Sequence, residues 1–172
     1  MVAVVLFLAA MLVAPAMAAP ATKIEGVMAT IEFTTTTEDP FFSVQREDLA
    51  ILHFGGTTTG SVSLTIGLDT HEGSISGEWM GKVKFPSNMA PYADAEGQIH
   101  AKHVWTFTDE GFTGTFEGVV QTGWIGFLSQ FRSYIYYQMV LRGTGDFDGQ
   151  TLKLSYSGAP PAVLEGCLII PK

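Results

Sequence analysis

The segment from Ser61 to Leu68 (SVSLTIGL) puts Val62, Leu64, Ile66 and Leu68 on one side of an extended chain and Ser61, Ser63, Thr65 and Gly67 on the other. A period of two marks a strand with one dry face, because successive side chains of a strand point to opposite sides. Similar runs recur near residues 27–37, 48–54, 74–85, 98–108, 111–121, 132–142, 150–157 and 163–170. Turn chemistry separates them, as at Gly55-Gly56, Asp109-Glu110-Gly111 and Gly158-Ala159-Pro160-Pro161. Nine short runs with such punctuation predict an all-β domain. The segments from Glu38 to Gln45 and from Pro86 to Asp94 read as loops.

The hairpin around Asp109-Glu110-Gly111 shows how one face is filled. Pairing Phe107 with Phe112 would set Ile99 opposite Val120, Ala101 opposite Gly118, His103 opposite Phe116 and Trp105 opposite Gly114. Large side chains then lie against small ones on a wholly apolar face. The other face carries His100, Lys102, Thr106, Thr108, Thr113, Thr115 and Glu117, which suits water. A one-sided hairpin is the wall of a barrel or sandwich.

Closure is suggested by a repeated unit, Gly-x-aromatic-x-Gly, at Gly77-Glu78-Trp79-Met80-Gly81, Gly114-Thr115-Phe116-Glu117-Gly118 and Gly145-Asp146-Phe147-Asp148-Gly149. On a strand, both glycines share the aromatic's side, so the sheet can bend around one inward ring. One stretch has helical spacing instead: Trp124, Phe127, Leu128 and Phe131 recur at i, i+3, i+4 and i+7. It predicts one short helix or ordered loop near 124–132. The fold expected is an antiparallel β-barrel of about eight strands.

The third unit lies in Gly143-Thr144-Gly145-Asp146-Phe147-Asp148-Gly149 (GTGDFDG), followed by alternating Leu152, Leu154 and Tyr156. This segment resembles the Gly-Thr-Gly-x-Phe-x-Gly segment of the allene-oxide-cyclase and dirigent-like barrels of the calycin type. The resemblance covers the chain from the strand at Tyr134 onward. It implies an antiparallel barrel of about eight strands with an apolar lumen. No catalytic residue of those families matches a position here, so it carries architecture alone.

The N-terminus adds a destination. Val2 to Ala14 is unbroken apolar sequence, and Pro15 precedes Ala16-Met17-Ala18, a small-x-small pattern of the kind signal peptidase cleaves. Residues 1–18 therefore read as a signal peptide, and 19–172 as a single domain of 172 − 18 = 154 residues, secreted or periplasmic. No later apolar run reaches the ~20 residues of a spanning helix. The net charge of −8 disfavours nucleic acid, which needs a basic footprint. Cys167 is the one cysteine, so no disulfide forms within the chain. It reads as a small core residue.

Alternation selects the candidate site: Trp79, His103, Trp105, Phe116 and Tyr137 should face a common interior and bind a ligand there. His103 could offer that ligand a hydrogen bond or a proton. No metal site is expected, because His100 and His103 fall on opposite faces of a strand, His53 alternates with Ile51 and His71 sits in a loop. Asp146 and Asp148 form an acidic tip that lacks the rest of a calcium loop. No nucleophile elbow, phosphate loop or dinucleotide fingerprint occurs, and no cofactor is expected. Tyr134 and Tyr136 fall outside; with Trp124 and Phe127 they could join subunits of a homo-oligomer. Three functions fit: a barrel binding a small apolar or amphipathic molecule, a cyclase or isomerase using the same lumen, and an adhesive module with a closed core.

Overall fold

Nine strands follow one another in the computed structural model, which describes residues 20–39, 41–46, 48–85, 95–127, 132–158 and 163–172. They are β1 (Thr22–Thr35), β2 (Phe41–Gln45), β3 (Ala50–Ile66), β4 (Asp69–Phe85), β5 (Ala95–Asp109), β6 (Phe112–Phe127), β7 (Arg132–Gly145), β8 (Thr151–Gly158) and β9 (Val163–Ile170). The expected signal peptide and the loop at 86–94 lie outside the described residues. Every pairing is antiparallel, and β1 bonds to both β9 and β3. Eight strands thus close a barrel, and β2 rides on β3 as an extra strand.

Short turns fix the register. Asp109 pairs with Phe112, leaving a two-residue loop whose Gly111 has φ +77°, a left-handed conformation open to glycine at little steric cost. The expected hairpin register is therefore corrected by two residues: Trp105 faces Phe116, His103 faces Gly118, Ala101 faces Val120 and Phe107 faces Gly114. A slip of two preserves every side chain's face, so alternation could not detect it. Ile66 pairs with Asp69 in the same way, which makes Leu68 a turn residue, 100% exposed, rather than a member of the inward row.

Three further expectations are corrected. Gly55-Gly56 is not a turn: β3 runs straight through it, joining the runs at 48–54 and 61–68 into one strand. A Cβ on Gly56 would collide with the Thr36 carbonyl, because the chain leaving β1 passes there; Thr36 N donates to Thr57 O (2.9 Å) and Glu38 N to Gly55 O (2.8 Å). The loop expected at 38–45 contains β2. Trp124 to Phe127 belong to β6, where Trp124 pairs with Ile135 and Phe127 with Arg132, so the helical spacing gives no helix there; residues 128–131 lie outside the described residues.

Away from the bulge at Gly26 in β1, alternation holds along the barrel strands, and the inward residues form a main core, in which Trp105 and Phe116 are 0% exposed, and a smaller cluster of Ala50, Val83 and Phe85. The third glycine unit departs from the other two. Gly145 and Gly149 have φ +67° and +76°, and 146–149 form the β7–β8 turn, closed by Phe147 N to Thr144 O and Gln150 N to Phe147 O bonds. The turn drops Phe147 into the barrel end, stacked on Phe116 (centroids 4.6 Å, 11°) and against Phe107 and Phe112. Phe147 is thus a plug rather than a strand ring.

Candidate ligand-binding lumen

Above the phenylalanine layer the barrel is not filled. A cavity of about 520 Å³ is lined by inward residues from most of the ring: Ile31 and Phe33 of β1, Phe54 and Thr58 of β3, Trp79 of β4, Ile99, Ala101 and His103 of β5, Val120 and Thr122 of β6, Tyr137 and Met139 of β7, and Leu164 of β9. Thr30, Glu32 and Thr35 border it from β1. The volume lies in the range of ordinary small-molecule sites. Of the five sequence-selected residues, Trp79, His103 and Tyr137 line this space. Trp105 and Phe116 are packed in the core and do not border the cavity.

The glycine units explain how an imidazole fits here. His103 has Gly77 beside it on β4 and Gly118 on β6. A Cβ at Gly77 would clash with the Lys102 carbonyl and come within 2.8 Å of His103 Cδ2. The inward glycines therefore clear the space that the ring occupies. One strand position on, Trp79 faces Ala101, which faces Val120, so the indole too has small neighbours. Phe54 meets Trp79 edge to face at 5.5 Å.

Polarity concentrates in this space. Among the described residues the buried polar side chains are Thr58, His103 and Thr122, and all three line the cavity. Thr122 pairs across the sheet with Tyr137 and hydrogen-bonds its side chain. Burial pushes the Tyr137 phenol above its ordinary range, and the Thr122 bond partly offsets that. Burial alone holds the His103 imidazole below its ordinary value, so the neutral ring is favoured. Two nitrogens of lining residues, His103 Nδ1 and Trp79 Nε1, are buried with no hydrogen-bond partner, as is Trp105 Nε1 in the core. Each orphan of this kind costs about 1–3 kcal/mol.

The other histidines lie elsewhere. His100 is exposed and on the face opposite His103. His53 is not inward: it pairs with Phe41 of β2, stacks on its ring at 5.1 Å and hydrogen-bonds Ser43 Oγ at 2.8 Å. His71 is in β4 rather than a loop, stacked on Phe112 at 3.5 Å with Asp109 Oδ2 3.6 Å from its Nδ1. Tyr136 lies on the outer face, half covering Gly123, while the side chains of Trp124, Phe127 and Tyr134 fall outside the described part.

Neither Thr58 nor Thr122 stands out in the sequence. Thr122 shares the parity of Phe116 and Val120, but the helical spacing that starts at Trp124 sets the expected strand boundary at 121. Thr58 follows Gly55-Gly56, a pair whose composition points to a turn. No protein-family model, curated protein or solved structure matches the chain, so the site rests on its own geometry.

Proposed function

We propose that this protein is an exported barrel that binds a small apolar or amphipathic molecule in its lumen. The observation that carries the reading is the convergence of the buried polar side chains on a cavity whose walls are otherwise apolar and aromatic apart from Thr30, Glu32 and Thr35 of β1. Sealed cores mostly satisfy such groups locally or exclude them, and in the packed half of this barrel the Trp105 indole is the one such group left without a partner among the described residues. A ligand that fills the space and meets the orphan nitrogens removes both costs. The eight-stranded barrel agrees with the architecture implied by the allene-oxide-cyclase and dirigent-like resemblance, and kinship with those families remains part of this proposal.

Binding is favoured over isomerisation because no carboxylate is buried beside His103 among the described lining residues. Glu78 faces outward opposite Lys102, and Glu32 borders the cavity with an exposed side chain. The test is titration with the neutral dye N-phenyl-1-naphthylamine. Ala101→Phe, which fills the lumen from a small inward position, should weaken binding at least tenfold while the far-ultraviolet spectrum of the barrel persists. Equal dye affinity in the wild type and this variant would sink the reading.

A further inference from the structure

The chemistry of the cavity wall limits what can enter it. Among the described residues neither Lys nor Arg borders the cavity, and the one carboxylate that does, Glu32, has an exposed side chain. A buried carboxylate ligand would therefore have no countercharge, which makes its desolvation prohibitive. Protonating His103 to supply one works against the burial that keeps the ring neutral. An ammonium group meets the same lack of a buried counter-ion. It also brings only donors, whereas the indole Nε1 of Trp79 is itself a donor and cannot accept. What is missing at Trp79 is an acceptor, and His103 Nδ1, a second unpaired atom in the same wall, donates to the same acceptor in its Nδ1–H tautomer. Phe54 and Trp79, edge to face at 5.5 Å, add two inclined aromatic rings to that wall.

We infer that the lumen selects an uncharged, largely apolar molecule carrying a hydrogen-bond acceptor, of the ketone, aldehyde or ether class, seated with that acceptor toward Trp79 and His103. This rests on the lumen being a binding site, and it adds the class of ligand and the end by which it is held. A carboxylate seated at the Trp79 and His103 end is excluded by charge rather than by size.

Four probes on one ring frame separate these terms: 2-acetylnaphthalene, 2-ethylnaphthalene, 2-naphthoate and 2-naphthylmethylammonium, titrated by calorimetry at pH 8. The ketone is expected to bind about tenfold more tightly than the hydrocarbon, one net hydrogen bond. Both ions should bind more weakly than the hydrocarbon. Trp79→Phe keeps a ring and deletes the donor; it should lower the ketone-to-hydrocarbon ratio several-fold while sparing hydrocarbon affinity. His103→Phe provides an independent second variant. An ion that binds as well as the ketone, or a ratio unchanged in both variants, overturns the selectivity and leaves the lumen site standing. Failure of all four probes to bind overturns the inference and the site together.

Discussion

His103 is where the residue scale matters most. Its side chain is 6% exposed, and burial holds its pKa below the usual histidine value. The unfolded chain therefore takes up a proton as pH falls through about 6.5, before the folded protein does. Stability contributed by the neutral ring is complete above the unfolded value and is lost as pH falls toward the folded one. Denaturant midpoints measured from pH 8 to pH 5 should fall for the wild type and stay flatter for His103→Leu. The neighbouring glycine offers a second prediction: a Cβ on Gly118 would collide with the Val140 carbonyl and lie 3.0 Å from Leu141 Cα, both backbone groups. Gly118→Ala should cost about 1–3 kcal/mol in chemical denaturation, the usual penalty of overpacking. Alternation alone put His103 and Trp79 inside, so these residues were legible in the sequence. The absence of partners for their nitrogens was not, because it depends on what five other strands bring to the same place.

At the scale of elements, the sequence identified faces better than boundaries. Strand parity was right for Val62, Leu64, Trp105, Phe116 and Tyr137, since burial on one side enforces it. Boundaries failed where glycine had two meanings. Gly55-Gly56 resembles a turn but is a crossing point, at which β3 exchanges β2 for β1 as its neighbour and a third segment passes close. Gly56→Ala should speed hydrogen exchange at the Thr36 and Glu38 amides, which bond β3 on either side of it. Gly111 is a true turn residue, and Gly111→Ala should destabilise by about 1–2 kcal/mol, because an L side chain resists its left-handed backbone. The helical spacing at 124–131 misled for a related reason. Four apolar residues in a run of eight fit a helix stripe, but pairing with β7 claims the first two of them, Trp124 and Phe127, for a strand.

At the scale of the molecule, the barrel has one packed half and one open half. Phe147, brought in by a turn, sits among Phe107, Phe112 and Phe116 and closes one end, whereas the cavity residues lie beyond Trp105 toward the other. Phe147→Ala should lower stability by about 3–5 kcal/mol. Affinity for a lumen ligand should change little in the folded fraction, which dye titration at low temperature would show. Closure itself sets an order for folding. The seam is made by β1 against β9, with Thr22 beside Ile170, so the ring seals only when strands far apart in sequence meet. Until they do, one rim of the sheet stays unsealed and open to chance pairing. Such distant matching makes folding slow, on the order of milliseconds to seconds, and the half-made ring is the state in which chaperone protection is most useful.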